Sequence, residues 1–420
     1  MDKFVIHGGR QLNGTVRISG AKNASLALMP AALLASGTFH LRNTPSLRDV
    51  TTMGNLLSSM GARVALDGHT LTLDTTHVDN YEAPYEHVKK MRASIYVLGP
   101  LIARYGRAKV SLPGGCAWGP RPVDLHIEGM KKLGAILELK EGYIHATAKK
   151  LSGAKIAFDI SSVGATANVL MAAVLAKGST LIENAAIEPE ITALAQFLIL
   201  MGAHIDGVGS RRLEIEGVDG LHAADVETIP DRIEAGTFLV AGALAGGNVT
   251  VDAVNPEHLT SLLAKLQDAG CRIDVGTSTV KLSAPQELQA VDVTAAIYPG
   301  FPTDMQAQWT ALMTRANGTS VVTDSIYADR FKHVPEMIRL GAEIDVNENA
   351  AIVRGVKKLT GAKVMSTDLR ASASLILAGL VAEGNTEVLR VYHIDRGYET
   401  SEKKLASLGA EIERVQGEEF

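Results

Sequence analysis

Residues 337–346 read MIRLGAEIDV: the end of an apolar helix-like segment, a Gly-Ala pair, then a short alternating strand pattern. The same phrase returns as LSSMGARVAL, MKKLGAILEL, LILMGAHIDG, LQDAGCRIDV and LASLGAEIER, with glycines at Gly61, Gly134, Gly202, Gly270, Gly341 and Gly409. The six copies lie about 70 residues apart, so the chain is built from six copies of one helix–strand unit.

A second phrase interleaves with the first: a small-residue helix, a glycine, then a strand, as in GPLIARYGRAKVSL or VAGALAGGNVTVDA. Its glycines, Gly37, Gly106, Gly178, Gly247, Gly318 and Gly384, fall where a left-handed helix cap costs glycine no Cβ clash. The Ala, Gly and Ser in these helices leave no polar stripe, which predicts burial in a crowded interior. The first set, with Lys131, Lys132, Lys265, Lys403 and Lys404, reads as half exposed. A mixed unit of ~70 residues is too small for a comfortable domain, so the six units divide most simply into two sets of three, with a seam near residue 230. Neither GxGxxG nor GxxxxGK[ST] occurs, which argues against a doubly wound nucleotide fold.

Composition agrees with two globular domains: 420 residues, 46% hydrophobic and 21% charged. With 41 basic and 46 acidic residues the formal charge is −5, so nothing draws the whole chain to nucleic acid or an anionic membrane, and any anion site is local. Two cysteines, Cys116 and Cys271, give no disulfide framework and point to a reducing compartment. With no signal-peptide pattern and no apolar run near ~18 residues, a cytoplasmic protein is expected.

The chemistry concentrates in a few stretches. SLPGGCAWGPRPVDLH, residues 111–126, carries three prolines and three glycines, which puts Cys116 on an accessible loop with Arg121 five residues on. Cys271 sits inside the repeat phrase and reads as a packed thiol. SGAKNASL places Lys22 and Asn23 at the start of the first small-residue helix, where backbone N–H groups and an ammonium favour an anion. Arg92, Arg330, Arg370 and Arg396 stand beside other strand-to-helix junctions, and the guanidinium fork suits phosphate and carboxylate. MRASI and LRASASLIL echo each other, so equivalent ends of different units present arginines to equivalent places. Asp304, after Pro299, Gly300 and Pro302, and Asp368, in a second Thr-Asp pair, are either helix caps or, for Asp304, a base for a hydroxyl proton. With no HExxH, paired CxxC or His-rich cluster, no metal or cofactor is expected.

SGAKNASL, MRASIYVLGPL, GGCAWGPRPVDLH, SVGAT, FPTDMQAQ, RFKHVPE, TDLRASASL and YHIDRGYE together resemble the enolpyruvyl transferases, end to end, and in particular those that use a UDP-sugar acceptor. The resemblance implies an inside-out α/β barrel of two domains with three repeats each. It also implies bounds of 22–229 for one domain and 1–21 plus 230–420 for the other, with the active site in the cleft between them. It implies transfer of the enolpyruvyl group of phosphoenolpyruvate to the 3'-hydroxyl of UDP-N-acetylglucosamine, without cofactor, by a monomer. Matched residue by residue, Lys22, Asn23, Arg121 and Arg396 surround phosphoenolpyruvate. Arg92, the run Arg121, Pro122, Val123, Asp124 and Leu125, then Ser162, Val163, Gly164, Asp304 and Ile326 meet the UDP-sugar. Arg330 and Arg370 join the substrate site, and Cys116, the expected fosfomycin target, is the proton donor. Ile160 stands where some relatives carry a lysine, which puts one nucleotide contact in doubt. Transfer to shikimate 3-phosphate, or silent binding of a UDP-sugar, are the competing readings.

Overall fold

The computed structural model describes residues 2–89, 91–112 and 123–417. Cys116, Arg121 and Pro122 lie outside the described residues. The chain divides into two compact units, Gly20–Ile229 on one side and Met1–Ser19 with Pro230–Phe420 on the other. The Ala21 N–H donates to Ile229 O at 2.7 Å, which ties the start of the Gly20–Ile229 unit to its end.

Among the described residues there are six four-stranded sheets, one at each repeat and all in one order, and a two-stranded pair, Leu359–Thr360 with Ala382–Glu383. In the sheet that holds MIRLGAEIDV, Val293–Ala295 runs parallel to Thr319–Asp324, which pairs antiparallel with Ala350–Arg354, which pairs antiparallel with Glu343–Asn347. The repeated glycine makes the turn from outer helix to edge strand: Gly61, Gly134, Gly202, Gly270, Gly341 and Gly409 all have φ between 90° and 105°. A side chain is strained there, so the most regular letter of the repeat is also its most constrained backbone position.

The last sheet is completed from the far end of the chain. Strand β1 (Asp2–His7) lies between Asn385–Leu389 and Glu411–Gln416, in the place that a hairpin strand fills in the other repeats. Strand β2 (Asn13–Arg17) supplies the parallel edge beside Asn248–Asp252.

The small-residue segments form the inner helices: α1 (Lys22–Ala31), α2 (Leu98–Tyr105) and α3 (Val163–Ala173) in the Gly20–Ile229 unit. The other unit holds α4 (Arg232–Ala245), α5 (Gln306–Met313) and α6 (Leu369–Val381). Every residue of α5 is buried, as are residues 369–380 of α6, which no amphipathic surface helix could show. Small side chains make this packing possible: a Cβ on Gly99 in α2 would stand 2.3 Å from the Asn168 backbone oxygen of α3. Strands alternate instead, with Leu213 and Ile215 buried and Arg212, Glu214 and Glu216 exposed, so each sheet turns one face to the helices and one to water.

The helices are thus inside and the sheets outside, as expected, and among the described residues each ladder stops after four strands rather than closing a barrel. Gly246, at φ 76°, takes the left-handed cap expected at Gly247, whose missing Cβ lets it lie against the Leu12 backbone. Each unit has its own core, one built around Phe39, Phe197 and Leu170, the other around Phe4, Trp309 and Leu375. At roughly 1.5–3 kcal/mol for each large buried apolar side chain, burial on this scale is the main force holding both. Among the described residues no helix is long and apolar enough to cross a membrane.

Candidate active site

In the unit that contains α5 and α6, the polar residues sit where inner helices begin. Prolines 299 and 302 bring the chain into a short turn, Thr303–Met305, that leads into α5, and Asp304 is its middle residue. The α6 start is capped by Asp368, whose side chain accepts from the N–H groups of Arg370 and Ala371. Arg370 is thereby fixed on the first turn of α6, facing Asp304. Its Nη2 donates to Asp304 Oδ2 at 2.7 Å, while Arg330 Nη2 donates to Asp304 Oδ1 at 2.6 Å.

Each carboxylate oxygen therefore meets its own guanidinium. Both arginines are almost fully buried, whereas the Asp304 side chain keeps 25% of its surface exposed. Burial works against the charge of Arg370, but Asp304, with Tyr398 and Asp231, raises its pKa above the ordinary value. Arg330 is braced in turn: its Nη1 donates to Thr303 Oγ1 at 2.8 Å, and Thr303 donates to Asp324 Oδ2 at 2.6 Å. Asp324 also accepts from the N–H groups of Ile326 and Tyr327, which fixes the backbone at Ile326. Arg330 and Arg370 were expected beside substrate anions. In the structure both also grip Asp304.

Arg396 closes the short helical turn Val391–Arg396 and is partly exposed. Cys271 is buried, which pushes its thiol up to about 12 and keeps it protonated and inert, in keeping with its place in the repeat phrase.

In the Gly20–Ile229 unit the same construction presents a different set. Lys22 is the first residue of α1 and lies 3.5 Å from the buried Asp49 carboxylate, with Asn23 partly exposed beside it. Arg92 opens the turn Arg92–Val97 that leads into α2, and Ser162 caps α3 by accepting from Ala165 N, leaving Val163 and Gly164 as its first turn. The first N–H groups of a helix have no intrahelical acceptor, so these starts favour an anion. Asp124 and Leu125 begin the helix Asp124–Lys132, preceded by Val123, and Ile160 is exposed on the approach to α3.

Two residues that the sequence reading passed over tie this set together. His126 is buried against Gly164, and its Nδ1 lies 2.9 Å from Asn168 Nδ2; Asn168 also donates to Ile95 O and accepts from Gly99 N. The Asn168 amide nitrogen can only donate, so His126 accepts at Nδ1. Burial, with Arg92 nearby, lowers its pKa to about 4, so it is neutral. His126 ended the stretch singled out for Cys116, but nothing in its spacing marked it. Tyr398, two residues beyond Arg396 in YHIDRGYE, is the corresponding omission in the other unit, and it lies buried against Arg370.

The profile of the family described as EPSP synthase (3-phosphoshikimate 1-carboxyvinyltransferase) matches residues 6–405. UDP-N-acetylglucosamine 1-carboxyvinyltransferase from Chloroherpeton thalassium is 61% identical over the whole chain and 99% of its own length. The protein of the same name from Chlorobium chlorochromatii is 59% identical, with both chains covered completely. Among solved structures, the enolpyruvyl transferase NikO from Streptomyces tendae superposes with a TM-score of 0.89 at 28% identity over 99% of each chain. EPSP synthase from Acinetobacter baumannii, at 18% identity and a TM-score of 0.75, shares the fold over 99% of this chain and all of its own.

Proposed function

The chain belongs to the EPSP synthase family of enolpyruvyl transferases, and from that premise we propose that it transfers the enolpyruvyl group of phosphoenolpyruvate to the 3'-hydroxyl of UDP-N-acetylglucosamine. The acceptor is carried by one observation: full-length likeness, at well over half identity, to proteins named for that reaction. In this reading the enzyme is a cytoplasmic monomer acting at the first committed step of peptidoglycan synthesis.

The acceptor oxygen bonds to C2 of phosphoenolpyruvate and loses its proton, while C3 gains one. The tetrahedral adduct then gives up a C3 proton and phosphate to leave the enol ether. Asp304 takes the hydroxyl proton. A carboxylate gripped by two guanidiniums is a weak base, so this transfer comes late, once the C2–O bond has begun to form and the hydroxyl has become acidic. Lys22, Asn23 and Arg396, with Arg121, hold the phosphate and carboxylate of phosphoenolpyruvate and stabilise the departing phosphate. Arg92, residues 121–125, Ser162, Val163, Gly164 and Ile326 hold the UDP-sugar, and Cys116 delivers the proton to C3.

The test is phosphate release. It is expected only when UDP-N-acetylglucosamine and phosphoenolpyruvate are both present, and it should be unchanged by a chelator. Release that needs shikimate 3-phosphate instead, or no release with any acceptor, overturns the reading.

A further inference from the structure

The Asp304 clamp is supported on both sides, and one support is a phenol. Arg370 spends one arm on Asp304; its other arm, Nη1, lies 3.1 Å from the Tyr398 hydroxyl. That hydroxyl has two further neighbours: Gln308 Nε2 at 3.1 Å and Thr237 Oγ1 at 2.8 Å. Arginine and the amide nitrogen can only donate, so Tyr398 accepts from both and its own proton goes to Thr237. Thr237 in turn donates to Ile233 O at 2.8 Å within α4. Gln308 Nε2 also lies 3.1 Å from Thr237 Oγ1, so one amide serves both hydroxyls and the phenol is held by donors on α5 and α6.

Tyr398 is 3% exposed, and burial pushes its pKa up more than Arg370 lowers it, so it remains a neutral phenol with its lone pairs turned to Arg370 and Gln308. Gln308 closes the loop: its Nε2 also lies 3.0 Å from the backbone oxygen of Asp304. The phenol thus reaches Asp304 by two routes, the carboxylate through Arg370 and the backbone through Gln308. It draws on α4, α5 and α6 together, where a capping bond would involve one helix.

We propose that Tyr398 is a positioning residue, which fixes the planar Arg370 guanidinium and thereby aims the Asp304 carboxylate at the acceptor hydroxyl. The inference rests on Asp304 being the group that handles that proton. At 3% exposure Tyr398 has almost no surface to offer a substrate, so its loss should slow the chemical step and leave binding in place. A small misalignment of a reacting group costs up to about 100-fold in rate.

The test compares the full-length wild type with Tyr398→Phe, which keeps the ring and deletes the oxygen. Expected is a fall in kcat of about 10- to 100-fold, with the KM values for both substrates within about threefold. In an Arg370→Lys background the same change should cost less than about threefold more, because the two residues act through one contact. A kcat retained within threefold, a loss confined to KM, or losses that multiply in the double variant each overturn the proposal. Thr237→Val, which strands the phenol proton, is the second variant should Tyr398→Phe fold poorly, and a smaller kcat loss with KM unchanged is expected of it. The crystal structure of Tyr398→Phe needs no activity: a re-aimed Arg370–Asp304 pair supports the inference and an unmoved one overturns it. Absence of turnover in the wild type would instead reject the proposed function.

Discussion

His333 stands just before the helix Val334–Arg339 with 1% of its surface exposed, and burial, together with Arg330, lowers its pKa to about 3. An unfolded histidine titrates near 6.5, so between that value and the folded one the unfolded chain binds a proton that the native chain does not. The stability this represents is present above pH 6.5 and is lost as pH falls, by about 1.4 kcal/mol per unit. Glu234 has the opposite sense. Burial pushes its carboxyl up to about 7 despite Lys404, so its contribution is whole below 4.5 and is lost as pH rises through 7. A comparison that keeps Glu234 constant isolates the histidine. Urea unfolding at pH 7 and pH 5 should show the wild type losing about 2 kcal/mol more on acidification than His333→Gln. Equal losses in the two proteins would mean that His333 is not held neutral.

Among the elements, the strand that follows the inner helix ends in the same left-handed turn in four of the six repeats. Asn43, Asn184, Ala253 and Arg390 have φ of 53°, 56°, 57° and 59°, each directly after its strand. Asparagine tolerates this left-handed backbone because its amide bonds locally, whereas alanine pays the Cβ–carbonyl clash. Ala253→Asn, at a partly exposed position, should therefore stabilise the protein by about 1 kcal/mol, read as a higher urea midpoint with an unchanged slope. A lower midpoint would show that the alanine methyl is packed. The six-fold phrase made the order of elements legible because a glycine at positive φ leaves a fixed letter in the sequence. The four left-handed turns left none, since Asn, Ala and Arg share no side-chain pattern.

For the molecule as a whole, the two units differ in how the chain serves them. Gly20–Ile229 is one continuous stretch with its own core, and its first sheet is completed from within by Val226–Glu227 beside Thr38–Arg42. The other unit needs residues 1–19, because β1 is an inner strand paired on both sides and buries Phe4 and Ile6 completely. Residues 20–229 expressed alone should unfold in one cooperative transition. Residues 230–420 alone should not, and adding a peptide of residues 1–19 should restore a transition. A cooperative transition in 230–420 without the peptide would show that β1 is dispensable. Calorimetry of the three samples decides it.

The sequence by itself determined the repeat, the alternation of buried small-residue helices with half-buried strands, and the residue types gathered at helix starts. All of these are written in local pattern: a period of about 70 residues, glycine at positive φ, and basic or acidic letters beside a helix onset. Only the tertiary structure decided which charges face which. Arg330 and Arg370 read as members of a substrate site from their helix onsets alone, and that both grip Asp304 is decided by segments brought together from 26 and 66 positions away. Tyr398 and His126 acquire their surroundings the same way, from elements distant in the chain that burial brings into hydrogen-bond range. Spacing along one strand or helix cannot report an interaction whose partner is supplied by another repeat, and in a core made of three repeats most of the decisive partners are.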